Sequence, residues 1–220
     1  SSSFMWTANA ATVSPSLDTK DNKVHFTPAN LISMRHRSIE YVQTSLNLRR
    51  IFNHPQHFAH HDALPANEHY ADEGAANHSR LCPDHSKSGI EIFVYGRSVT
   101  QDRPKPKKFP ARQTLESCQT IFSNHGLKTD HFMLLQQNPE AIDAGVFHND
   151  VIALANENVM FCHKQAFCNQ TAIKQNLQRF FEDKLKTDFF WLELSDLSMD
   201  EIVRSYLFNS QLISLENGKM

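Results

Sequence analysis

Two short segments combine residue types that do chemistry with small or apolar neighbours: Asp72-Glu73-Gly74-Ala75-Ala76-Asn77-His78 and Gly145-Val146-Phe147-His148-Asn149-Asp150. Each places ionisable or amide side chains where the surrounding residues read as a buried β-strand, and such groups are costly to bury unless something pairs with them. On a strand, His148 and Asp150 would share one face, with Asn149 on the other. An imidazole oriented by a carboxylate suits general acid/base work; the plain alternative is a histidine at a strand end with a surface carboxylate beside it. Glu73 precedes three small residues that permit close approach, and its carboxylate could grip a planar cation through two parallel hydrogen bonds or simply cap a turn.

Arg37, following His36, and Arg112, after Pro110, fall at helix entrances, in what reads as the first turn of each helix. A cation there opposes the helix dipole, and free backbone N–H groups nearby favour an anion, so anion binding is one reason for the placement. The run His54-Pro55-Gln56-His57-Phe58-Ala59-His60-His61-Asp62 has a metal-binding composition, but its spacings match no closed zinc pattern. Cys82, His85, Cys162 and Cys168 lack paired zinc spacing as well, and a zinc-stabilised domain built on them is a rival reading without a motif. Cys118 falls on the apolar side of a helix and reads as core.

The elements that must position these residues recur in one order, strand–strand–helix–strand. The first unit has strands at 5–12 and 23–27, a helix at 38–52 with Ile39, Val42 and Leu46 on one side, and a strand near 57–64. The second has strands at 75–81 and 90–96, a helix at 111–125 entered at Pro110 and stopped by Gly126, and a strand at 131–136. The third has strands at 146–155 and 159–167 around the turn Asn156-Glu157-Asn158, a helix at 171–185, and a strand at 189–194. A fourth begins with a helical turn at 199–204 and a strand near 207–215. The first strand of each unit carries polar residues at comparable places: Asn9; Asn77 and His78; His148 to Asp150; Asn209. Repetition of one supersecondary unit predicts stacking or a closed ring, in which such positions converge. An ordinary α+β sandwich with a polar exposed face is the alternative.

The 220 residues carry 22 basic and 24 acidic side chains, a net charge of −2, which makes no electrostatic case for nucleic acid or an anionic membrane. No apolar run reaches the roughly 18–20 residues needed to span a bilayer. The start lacks the features of a secretory signal and an initiator Met, and four cysteines are too few for a disulfide scaffold. A cytoplasmic protein, expected to be part of a longer one, is the reading.

Longer motifs sharpen it. Met5-Trp6-Thr7-Ala8-Asn9-Ala10-Ala11-Thr12, His36-Arg37-Ser38, Asp72 through His78, Phe93-Val94-Tyr95-Gly96-Arg97, Pro110-Ala111-Arg112-Gln113-Thr114, Gly145 through Ile152 and Tyr206-Leu207-Phe208-Asn209-Ser210-Gln211-Leu212 resemble the N-succinylarginine dihydrolase family nearly end to end. The resemblance implies an α/β fold of the pentein class, an α/β propeller of five such units. The chain would be one incomplete propeller domain over 1–220, with units at about 4–70, 71–140 and 141–197 and the start of the next at 198–220. It implies hydrolysis of the guanidinium of N2-succinyl-L-arginine to N2-succinylornithine, ammonia and carbon dioxide through a cysteine nucleophile, in bacterial arginine catabolism, with no cofactor and no metal. Glu73 and His148 match the family's catalytic acidic residue and histidine. Asn9, His36, Arg37, Arg112 and Asp150 match its substrate-binding positions. None of the four cysteines falls in a matching motif, and the Gly-rich nucleophile segment is not found. The expectation is therefore a central fragment that carries the acid/base and binding residues, is inactive alone and is prone to associate through open edges, a homodimer being one form. A degenerate, non-catalytic guanidino-compound-binding or interaction module is the alternative.

Overall fold

A computed structural model describes residues 9–215. Within it the strand–strand–helix–strand order recurs three times, each time as a separate three-stranded sheet. In the first, β1 (Ala11–Ser14) runs antiparallel to β2 (Val24–Pro28), which runs parallel to β3 (Phe58–His60) after the helix α1 (Tyr41–Ile51). In the second, β4 (His78–Leu81), β5 (Ile90–Tyr95) and β6 (Phe132–Gln136) repeat this pattern around α2 (Leu115–Asn124). After the short helix α3 (Pro139–Asp143), the third sheet joins β7 (Ala153–Asn156), β8 (Val159–His163) and β9 (Phe190–Leu194). Its helix α4 (Gln170–Phe180) continues into a π-helical turn at Phe181–Leu185. The helix α5 (Met199–Ser205) follows.

Local chemistry explains most boundaries. Thr114 accepts from the Ser117 N–H, so α2 begins there rather than at the entry expected after Pro110. Gly126, at φ +59°, ends the same helix in the left-handed region. Ser198 and Glu201 form a reciprocal capping box at the start of α5. Glu157, at φ 48°, turns the β7–β8 hairpin so that Asn156 pairs with Val159.

β5 holds the centre. All six of its residues are buried, and its two faces enter different cores. Ile90, Ile92 and Val94 share a core with Ile152 just before β7, Met160 of β8, Leu177 of α4 and Phe181 of the π-helical turn. Phe93 and Tyr95 pack on α2 through Leu115, Cys118 and Ile121. The starts of the three units meet: β1 lies against the Gly74–Asn77 turn, that turn against the Asn149–Val151 turn, and β4 against β7. The segments that lead into β4 and β7 thus converge.

Several expectations are corrected. The strands expected at 75–81 and 146–155 begin later, because Gly74–Asn77 and Asn149–Val151 are 3-10 turns. His148 and Asp150 therefore do not alternate along a strand; His148 is the extended residue before a turn that contains Asp150. Arg37 and Arg112 lie ahead of α1 and α2 rather than in their first turns. Residues 207–215 form no strand. Ile39, Val42 and Leu46 are 71%, 54% and 45% exposed, so α1 buries none of its residues among those described. The part of the first expected strand at residues 5–8 lies outside the described residues.

Candidate active site

Glu73 is fully buried at the residue before a glycine in the left-handed conformation, Gly74 at φ +63°. A side chain at Gly74 would run into the Asn9 carbonyl oxygen and the Ala29 methyl group, so only glycine lets the chain turn here against its neighbour. The turn aims the Glu73 carboxylate inward. One of its oxygens, Oε2, lies 2.8 Å from His148 Nε2 and accepts from Arg37 Nη1 at 3.0 Å. The other, Oε1, has no hydrogen-bond partner among the described residues. Burial pushes the Glu73 carboxyl up, but the hydrogen bond and charge of His148, then Arg37 and Arg112, outweigh it and hold the group below the usual glutamate range.

His148 is 3% exposed, and its other ring nitrogen, Nδ1, stands 3.9 Å from Asp150 Oδ1. Burial first, and the Glu73 charge with it, raise the Asp150 carboxyl against the pull of His148 and Arg37. Among the described residues Asp150 Oδ1 also lacks a hydrogen-bond partner, as do Arg37 Nε and Nη2. The sequence thus brings Arg37, Glu73, His148 and Asp150 into one row of alternating charge type. Orphaned acceptors on Glu73 and Asp150, beside a histidine, are what a planar cation with several N–H donors would satisfy.

The remaining expected residues flank this row. Arg112 lies with its guanidinium carbon 4.6 Å from the centre of the Phe147 ring, a cation–π contact. Together with Met34, Arg97, Phe109 and Phe147 it lines a cleft of about 400 Å³. Asn9 lines a second depression of about 300 Å³ with Ala75, Asp150 and Asn209. His36 is exposed, and no side-chain hydrogen bond or ion pair among the described residues joins it to the row.

Asp72 and Gln113 lay inside the motifs but were not singled out from sequence, whereas Asn77 was named there only as one of the polar residues expected to converge. Gln113 Oε1 accepts from the Glu73 N–H at 2.7 Å, and Asn77 Oδ1 accepts from the Asn149 N–H at 2.9 Å. Asp72, 1% exposed, has its carboxyl raised to about 6 by burial, against hydrogen bonds from Gln113 and the Gly74 N–H. Their signal was the clustering of short polar side chains around Gly74, which a strand reading hid.

The four thiols are poor nucleophiles where they sit. Cys82, Cys118 and Cys162 are buried and Cys168 partly so. Burial raises all four above the ordinary thiol range, Cys118 and Cys162 most. Cys162 packs in the apolar core, and His85 faces Asn156 Oδ1 at 3.1 Å. Among the described residues no three His, Cys, Asp or Glu side chains are placed to hold a metal ion. No described helix is long and apolar enough to cross a membrane.

The fold is shared with that of ArgZ, an arginine dihydrolase from the ornithine–ammonia cycle in cyanobacteria, whose apo crystal structure matches 96% of this chain and 26% of its own at a TM-score of 0.59. Sequence identity there is 15%, so the likeness is one of fold. A family model described as succinylarginine dihydrolase matches residues 1–220, and the chain belongs to that family. The N-succinylarginine dihydrolase of Photobacterium profundum is 54% identical over 222 residues, and that of Shewanella denitrificans is 52% identical over 223. In both cases the match covers 100% of this chain and 49% of the relative, so the chain spans about half the length of the curated relatives it matches.

Proposed function

We propose that this chain is an incomplete pentein propeller, the central part of an enzyme that hydrolyses the guanidinium of N2-succinyl-L-arginine. The products are N2-succinylornithine, two ammonia and carbon dioxide, with two waters consumed. The observation that carries the reading is the buried Glu73–His148 pair beside carboxylate oxygens of Glu73 and Asp150 that have no partner among the described residues. Those oxygens take the guanidinium N–H groups. Arg112 and Arg37 supply positive charge for the two carboxylates of a succinylated amino acid, with His36 and Asn9 at the margins.

A cysteine thiolate attacks the guanidinium carbon, and the first ammonia leaves with a proton from His148. His148 then takes a proton from the water that releases the ureido product, and a second round on that product ends in a carbamate that loses carbon dioxide. The thiolate comes from outside these residues, a reading supported by the high thiol pKa values of all four cysteines present. The 220 residues alone then bind without turnover. The setting is cytoplasmic arginine catabolism, without cofactor, nucleic acid or membrane, and association as a homodimer fits open sheet edges.

The test is ammonia release by the complete protein from N2-succinylarginine, with free arginine as control. Two ammonia per succinylarginine and little from arginine is the expected result. A folded, complete protein that releases none refutes the enzyme and leaves a guanidino-compound-binding module.

A further inference from the structure

Gln113 is 5% exposed, and its side-chain amide is used to capacity. Its orientation is set by one neighbour: the Glu73 N–H can only donate, so the atom 2.7 Å from it is the amide oxygen. That oxygen also receives Asn77 Nδ2 at 3.4 Å. The amide nitrogen then faces Asp72 Oδ1 at 2.9 Å and Ser117 Oγ at 3.0 Å. Both ends of this small network lead to the reacting groups. Asp72 Oδ1 accepts from the Gly74 N–H, which pins the turn beyond Glu73. Asn77 Oδ1 accepts from the Asn149 N–H, next to His148. Glu73 and His148 precede different sheets, and no covalent connection shorter than 75 residues ties them together.

We propose that Gln113 is a positioning residue: its one amide holds the Glu73 backbone and, through Asn77, the His148–Asn149 segment in the register that lets carboxylate and imidazole meet. The inference rests on the dihydrolase reading for its rate consequences, though not for its geometry. A misplacement of about 1 Å in such a constellation costs on the order of 10²-fold in rate.

Two variants of the complete protein test it. Gln113→Met keeps the volume and removes every hydrogen bond; kcat should fall about 10²-fold. The acid limb of the kcat–pH profile should move to higher pH, because Glu73 slackens from the groups that hold its carboxyl low. Gln113→Glu keeps the acceptor for the Glu73 N–H but sets a second carboxyl against Asp72. Its loss should shrink as pH falls and the two carboxyls come to share a proton. Ile121→Val, on the buried face of α2, should leave kcat and the profile unchanged. A crystal structure of Gln113→Met should show the Glu73–His148 separation lengthened from 2.8 Å, and that measurement stands whatever the substrate is. An unchanged separation, or a rate loss with an unmoved pH profile, overturns the assignment. An inactive wild type with a lengthened variant separation would instead refute the dihydrolase reading and leave the positioning role intact. Should Gln113→Met not fold, Gln113→Glu decides by its pH dependence alone, and a loss independent of pH overturns the assignment.

Discussion

Glu73 Oε2 and His148 Nε2 lie 2.8 Å apart although 75 residues separate them in the chain. Neither residue could be placed by its own element. Each stands at the mouth of a 3-10 turn that precedes the first strand of a sheet, and the adjacency of those strands brings the turns together.

In the complete protein, Glu73→Gln removes the charge shared with His148 and Arg37 while keeping the shape. We expect kcat for ammonia release to fall by roughly 10²–10⁴-fold, the range for loss of a general acid/base partner. His148→Asn should fall in the same range, and the double variant should be little worse than either, since the two act as a unit. Fully additive losses in steady-state kinetics would show that they act separately.

Much of this arrangement was legible in the sequence and part was not, for physical reasons. The apolar run of β5, the hairpin at Glu157 and the stop at Gly126 are local signals, and all lie where local chemistry puts them. The turns at Gly74–Asn77 and Asn149–Val151 read as strand because small and apolar residues flank them; the left-handed Gly74 that forces the first is required by a distant segment, Asn9 and Ala29. Periodicity found the apolar side of α1 but carries no information on what covers it, and Ile39, Val42 and Leu46 stand exposed. The strand expected near 207–215 has the right composition, yet a strand needs a neighbouring edge, and none pairs with it among the described residues. Gln113 meets Glu73 from 40 residues away, a contact no spacing rule encodes.

Gly74→Ala tests the close approach. Gly126 is a matched control, because it too has positive φ but no described residue within 4 Å of an added methyl group. Gly126→Ala should cost about 1 kcal/mol, the strain of the left-handed region alone. Gly74→Ala adds a collision with the Asn9 carbonyl and should cost about 2–3 kcal/mol or more. It should also lower kcat by displacing Glu73. Equal losses in urea-unfolding free energy for the two variants would show that the Asn9 contact is immaterial.

Glu116 fixes the loop that leads away from Arg97. Its Oε1 accepts from Ser98 Oγ at 2.6 Å, the Val99 N–H at 3.0 Å, the Thr100 N–H at 2.9 Å and Thr100 Oγ1 at 2.7 Å. Burial raises this carboxyl, but the hydrogen bonds prevail and hold it at about 2. A depressed carboxylate contributes stability above its unfolded pKa, and that contribution is lost as pH falls from about 4.5 toward 2. Glu116→Gln should therefore cost on the order of 2 kcal/mol at pH 7 and almost nothing near pH 2. Urea titrations at pH 7, 4 and 3 read this directly; a penalty independent of pH would mean that shape, not charge, holds the loop.

The imidazoles of His25, His61 and His125 pack against one another. His125 is fully buried, with its ring centre 5.1 Å from that of His61 and 5.4 Å from that of His25. His25 in turn faces His61 Nε2 and Asp21 Oδ1. Ser14 spends its one hydroxyl proton on Glu91 Oε2 at 2.6 Å, so at 2.7 Å it accepts from His125 Nδ1–H. His125 Nε2 is left to accept from Thr27 Oγ1, also at 2.7 Å. That tautomer is neutral, and Glu91, which also faces His78 Nε2 at 2.9 Å, gives the ring no direct counter-charge. Burial first, then His61, His25 and His78, push the His125 pKa well below the ordinary histidine value; burial and His25 lower His61 as well. The unfolded chain therefore binds these protons more readily than the folded one. Stability is full above about pH 6.5 and declines below it by about 1.4 kcal/mol per pH unit for each such histidine, until the folded value is reached. His125→Gln keeps a donor for Ser14 and an acceptor for Thr27 but cannot titrate. Its unfolding free energy should lose about one proton's worth of slope between pH 6.5 and 5, measured by urea titration against the wild type. A variant that keeps the wild-type slope would place the acid sensitivity elsewhere than in His125.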